Sequence, residues 1–146
     1  MEEIVSKLKT PEQCYQLAKN VIQRNPALAR EARRRAVELR AISLGSTKEV
    51  EVELLKALYA YEEVLTEKNK KTTRASRTWQ MIKKYGIIGA AEKAVDRPID
   101  PLGYTVLAQM GMQDLTFESV IARHPDSFNE EVVVRAKERL KKLSEV

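Results

Sequence analysis

Cysteine is almost absent from this 146-residue chain, and Cys14 is the only one. That excludes an internal disulfide framework and a four-thiolate zinc site, and it makes a reducing cytoplasm the simplest compartment. A single histidine, His124, removes multi-histidine metal centres and leaves any Ser-His-Asp or Cys-His design one candidate base. Five glycines and five prolines are too few for a collagen, a low-complexity chain or a turn-rich β-sandwich. Gly89, Gly103 and Gly111 stand isolated, so no glycine-rich loop cradles a phosphate. No apolar run reaches membrane-spanning length, so no membrane partner is expected. The start, Met1-Glu2-Glu3, lacks the basic residues and apolar run of a secretion signal.

What the chain does have is helical patterning. Apolar residues recur at spacings of three and four, and strand-like alternation is nearly missing. The expected fold class is all-α: a single domain over 1–146 with seven or eight helices and no sheet. A short helix over 2–8 precedes one over 11–24, which Thr10-Pro11-Glu12-Gln13 opens as a capping box. Pro26 starts a helix that runs to Leu44 and stops at Gly45. Ser46-Thr47-Lys48-Glu49 opens the longest, over 47–69, expected to be the central support. Thr72 or Thr73 is expected to cap a helix over 74–85, ended by Gly86 and followed by another over 87–95. Asp100, Asp114 and Asn129 are expected to cap the last three, over 101–110, 115–123 and 130–143. Cys14, Leu54, Leu58 and Trp79 lie on apolar stripes and are expected to be buried. Val21-Ile22-Gln23-Arg24-Asn25-Pro26 is echoed by Val120-Ile121-Ala122-Arg123-His124-Pro125, and both read as helix, proline turn, helix.

Charge carries the functional clue. The net charge is +5, but residues 1–67 balance 11 basic against 11 acidic residues. Residues 92–146 sum to −2, and residues 68–91 hold seven bases and no acid. The seven, Lys68, Lys70, Lys71, Arg74, Arg77, Lys83 and Lys84, fall within 17 residues. Such a local excess attracts a polyanion, most often nucleic acid. On a helix, Ala75, Trp79, Ile82 and Tyr85 would face the core. Arg74, Arg77 and Lys84 would then share a neighbouring face, with Ser76, Gln80 and Lys83 beside them. Guanidinium, ammonium, hydroxyl and amide groups are what contact phosphates and base edges. Thr72 and Thr73, ahead of a helix N-terminus flanked by bases, would add donors for an anion.

The leading expectation is a non-enzymatic nucleic-acid-binding protein, for DNA or RNA, with no cofactor and no metal. Its contact set is Lys68, Lys70, Lys71, Thr72, Thr73, Arg74, Arg77, Gln80, Lys83 and Lys84. Two other readings stand beside it. One is a helical module that binds a protein partner or self-associates as a homo-oligomer. The other is plain solvated charge, with Arg74 or Arg77 paired to Glu62, Glu63 or Glu67. A second cluster, Arg30, Arg33, Arg34, Arg35 and Arg40, is interrupted by Glu31 and Glu38 and reads as ordinary helix surface. Helix-turn-helix reading fails because 87–95 offers too few polar side chains to read bases. Trp79 reads as core, and Tyr85 is the better stacking residue. His124, before Pro125, suits a helix C-terminus. Asp96, Asp100 and Asp114 are each explained by a helix end rather than by Mg²⁺.

Overall fold

A computed structural model describes residues 2–46 and 48–145, with the Glu2 side chain left aside; Thr47, half of one expected capping box, lies outside them. The fold is all-α. Helix takes 77% of the described residues and strand none, well past the roughly 60% that the periodicity predicts. Eight α-helices occur among the described residues: α1 (Glu2–Ser6), α2 (Pro11–Val21), α3 (Pro26–Ile42), α4 (Glu49–Asn69), α5 (Ser76–Ala94), α6 (Pro101–Gln109), α7 (Phe117–Arg123) and α8 (Glu130–Ser144). Two 3-10 turns, Gln113–Leu115 and Pro125–Ser127, flank α7. The backbone gathers into two compact units, 1–45 and 46–146. No helix among the described residues is long and apolar enough to cross a membrane.

In the first unit, α2 and α3 form a hairpin and α1 leans on α3. The Thr10 hydroxyl accepts the Gln13 N–H at 3.2 Å, and the Gln13 side chain accepts the Lys9 N–H at 2.8 Å, so the expected box closes around the helix start. The Asn25 side chain accepts the Leu28 N–H at 3.1 Å and Pro26 fills the first helical position. Val5, Ala18, Val21, Leu28, Ala29 and Ala32 pack together with Leu17. Cys14 is fully buried, and burial raises its thiol pKa while the Arg35 guanidinium opposes that rise. Arg35 reaches the Leu8 carbonyl at 3.4 Å and Arg40 the Tyr15 hydroxyl at 3.1 Å. Those two arginines therefore hold the hairpin together rather than offering free charge.

In the second unit, α4 packs against α5, α6, α7 and the first 3-10 turn, which makes it the support of that unit. Leu54, Ala57, Ala91, Val95, Val120, Ile121, Phe128, Val132, Val133 and Ala136 form the core. The proline echo takes two forms. Pro26 opens α3 directly, whereas Pro125 opens a 3-10 turn and α8 begins only at Glu130. Helix starts also differ from expectation: the N-cap of α4 is Lys48, with no side-chain cap bond, and the Ser46 hydroxyl donates to Glu51 at 2.9 Å instead. Thr116, not Asp114, caps α7, because Asp114 is taken into the 3-10 turn; the Thr116 hydroxyl accepts the Ser119 N–H at 3.0 Å. Asn129 occupies the N-cap of α8, but its side chain reaches Glu92 at 3.4 Å instead of capping. Asp100 caps α6 as expected, accepting the Gly103 N–H at 3.0 Å.

Candidate nucleic-acid interface

The basic segment spans the end of α4, a six-residue connection (70–75) and the first half of α5. Helix α4 ends on Lys70, whose φ of 59° is left-handed, the one non-glycine residue with positive φ among the described residues. An L side chain there costs about 1–2 kcal/mol. The loop is tied back by Thr73. Its N–H donates to the Thr66 hydroxyl at 3.0 Å, and its own hydroxyl donates to the Lys71 carbonyl at 2.8 Å. Asn69 also donates to that hydroxyl at 3.3 Å. Neither Thr72 nor Thr73 caps α5, contrary to expectation; the N-cap is Ala75 and makes no side-chain cap bond.

The reason is a carboxylate from another helix. Glu62 of α4 is 1% exposed. Its Oε2 accepts the Ala75 N–H at 2.9 Å and the Trp79 indole N–H at 2.7 Å. The Arg74 Nε lies 3.9 Å from the same oxygen, and its guanidinium sits 5.1 Å from the Trp79 ring centre. The Trp79 ring also tilts against Tyr59, with centroids 5.7 Å apart. One buried oxygen thus does the work that a side-chain cap does elsewhere, and sets the rotation of α5 about its axis. Trp79 is half-buried rather than buried, because its N–H must reach Glu62 at the edge of the core.

That rotation decides which cations face outward. Ala75 and Thr78 are buried, and Trp79 and Ile82 half-buried. Ser76, Arg77, Gln80, Lys83, Lys84 and Tyr85 are all exposed. Of the face expected for Arg74, Arg77 and Lys84, the last two are solvent-facing on the helix, beside Ser76, Gln80 and Lys83, whereas Arg74 precedes the helix and meets Glu62. Tyr85 does not turn inward: Gly86 breaks the helix immediately after it at φ 77°, ψ 169°. Its exposed ring instead lies under the Lys84 and Lys93 ammonium groups, at 5.2 and 4.4 Å from the ring centre.

The pairing expected under the solvated-charge reading occurs in two places. Arg74 meets Glu62, and Lys70 meets Glu67 at 3.6 Å with both side chains well exposed. Lys68, Lys71, Arg77, Lys83 and Lys84 make no ion pair among the described residues. Glu62 and Glu63 are buried, so neither presents charge to solvent between these groups.

Periodicity missed a second polar node. His124, at the C-cap of α7, contacts Glu53 Oε2 of α4 through Nε2, and Arg123 reaches Glu53 Oε1 at 3.3 Å. Arg123 also donates to the Asp114 carbonyl at 2.8 Å. His124 does stand at the helix end, as expected, and its partner there comes from 71 positions away. Asp96 pairs with Arg135. No cluster of three or more metal-ligating side chains occurs among the described residues. The chain matches no protein-family model, no curated protein and no solved structure.

Proposed function

We propose that the protein binds nucleic acid through its phosphate backbone, along the loop and helix of residues 68–84. Lys68, Lys71, Arg77, Lys83 and Lys84 are the phosphate contacts, with Ser76 and Gln80 as neutral donors between them. Arg74 lies at the flank of Glu62 and Trp79, and Lys70, paired only on the surface with Glu67, adds charge at the turn. Tyr85 is the stacking residue, presenting a ring whose neighbours are ammonium groups. A reducing cytoplasm suits this role.

One observation carries the reading: five exposed cations, without ion-pair partners among the described residues, lie in a segment that contains no acid. A merely solvated helix surface interleaves acids with bases at i,i+4. The left-handed Lys70 adds to it, since glycine fits that turn better and the basic side chain is kept at a cost.

The test is a gel-shift titration against single- and double-stranded DNA and RNA at two salt concentrations. Five phosphate contacts give a slope of log K on log salt of about −4.5 on duplex DNA and about −3.5 on single strands. The triple variant Arg77→Ala, Lys83→Ala, Lys84→Ala lowers that slope by about 2–3 and keeps the helical circular dichroism. No shift at micromolar protein and low salt overturns the proposal and favours a protein partner or self-association instead.

A further inference from the structure

Within the second unit, α4, α5, α6, α7 and α8 surround a cavity of about 180 Å³. It is separate in composition from the basic face: most of its wall is apolar, aliphatic side chains together with the rings of Tyr61, Tyr104 and Phe117. Its polar side chains are Thr78, Arg97, Asp100, Thr116, Glu118 and Arg139, of which Asp100 and Thr116 cap α6 and α7. Glu118 and Arg139 both line it, and both side chains are nearly buried, 11% and 14% exposed. Arg139 Nε donates to Glu118 Oε2 at 2.7 Å, and its Nη1 donates to the Arg97 carbonyl. Glu118 Oε1 and Arg139 Nη2 make no hydrogen bond among the described residues, and neither atom is sealed from solvent. The Thr78 hydroxyl, on a residue only 6% exposed, lines the same cavity and is likewise unbonded among the described residues.

The ion pair leaves one acceptor and one donor that no protein group among the described residues takes and that solvent reaches, so both are open to a ligand. The leftover pair has a definite complement. A carboxylate oxygen accepts an N–H, and a guanidinium N–H donates to a carbonyl. A ligand with N–H beside C=O satisfies both at once. Size selects further: a cavity of about 150 Å³ is enough to hold benzene, so this one takes a single six-membered ring. Aromatic side chains in the wall favour a flat one.

We infer that this cavity is a binding site for a planar single-ring heterocycle of the pyrimidine class, one carrying an N–H beside a carbonyl. Glu118 Oε1 accepts its N–H, Arg139 Nη2 donates to its carbonyl, and the Thr78 hydroxyl takes a further polar atom. The inference stands independently of the strand-binding proposal. The ring could be a free base or the unpaired base of a strand, and the chemistry of recognition is the same.

Titration calorimetry and amide NMR with uracil, uridine and 1,3-dimethyluracil test it on the full chain. Uracil is expected to bind and to shift the resonances of Thr78, Glu118 and Arg139. Dimethyluracil keeps the ring and both carbonyls but has no N–H, and is expected to bind at least about tenfold more weakly, because a site built around a hydrogen bond rejects the analogue lacking it. Thr78→Val is expected to weaken uracil several-fold. Ala94→Leu, which adds bulk at the wall, is expected to abolish binding of both while circular dichroism stays unaltered. Oligouridylate competing better than uridine assigns the site to a strand's base, and failure to compete assigns it to the free base; either result keeps the inference. Three results overturn it: no resonance shift with uracil at about 10 mM, the weak end of measurable affinity; equal binding of dimethyluracil; or unchanged uracil binding in both variants.

Discussion

Glu62→Ala removes the acceptor that fixes the start of α5, and its cost follows from the bonds lost. The Ala75 N–H at 2.9 Å and the Trp79 indole N–H at 2.7 Å both lose their partner. A hydrogen bond to a charged acceptor contributes about 1.5–3 kcal/mol net, so the two together give about 3–6 kcal/mol. Water entering the vacated space can meet one donor, which places the expected loss near 3–4 kcal/mol. Arg74 adds little, since its side chain is 65% exposed and 3.9 Å away. Glu62→Gln keeps a carbonyl oxygen but not the charge, and is expected to cost about 1–2 kcal/mol. Urea unfolding followed by tryptophan emission measures this directly, because Trp79 is the only tryptophan and touches the node itself. A loss under about 1 kcal/mol for Glu62→Ala, or a Gln variant as damaged as the Ala variant, refutes the reasoning.

Four further outcomes are expected. Lys70→Gly relieves a left-handed L residue and raises stability by about 1 kcal/mol in urea unfolding, while it weakens strand binding. Gly86→Ala meets no neighbouring atom but forces an L residue into φ 77°, ψ 169°, and lowers stability by about 1–3 kcal/mol on the same measurement. The Cys14 thiol is raised by burial, so its contribution to stability is complete below the ordinary value of 9.0. Above that pH the unfolded chain ionises first, and stability falls as pH climbs towards the raised folded value. Stability curves for the wild type and Cys14→Ala across that range isolate the effect, and a difference that does not change there refutes it. Glu118→Leu alone strands a buried guanidinium and costs about 3–5 kcal/mol, whereas adding Arg139→Leu recovers most of the loss in a double-mutant cycle.

Helix existence was legible because burial imposes a spacing of three and four on apolar residues, and the capping residues Thr10, Asn25 and Asp100 mark their helices within four residues of sequence. The outward face of Arg77, Gln80 and Lys84 was legible for the same reason. What was not legible is which polar group finds a distant partner. Periodicity sorts apolar from polar, so Glu62, Glu63 and Glu118 look like surface residues although the fold buries them. The cap of α5 comes from 13 residues away, the Glu53 partner of His124 from 71, and the Arg139 partner of Glu118 from 21. No local pattern marks such pairs, because the chain between them is free to vary. Tyr85 was misplaced by the helical wheel: at the last position before Gly86 its ring lies among the Lys84 and Lys93 ammonium groups instead of the core.

The two carboxylates nearest the basic segment act differently, and that difference separates folding from binding. Glu67 lies on the surface and pairs with Lys70, where screening leaves such a contact worth little. Glu62 lies inside and spends its charge on two N–H groups and the flank of Arg74. With no acid in 68–91, no i,i+4 partner within the segment neutralises the remaining cations. The fold thus gains its anchor without discharging the outer face. It follows that Arg77, Lys83 and Lys84 can be removed with little change in unfolding midpoint but a large loss of strand affinity. Substitutions at Glu62 or Trp79 must move both, since they release the helix that carries those cations. If the outer-face variants lowered stability as much as Glu62→Ala, the cations would be part of the fold's own electrostatics and the segment would lose its claim to be a binding surface.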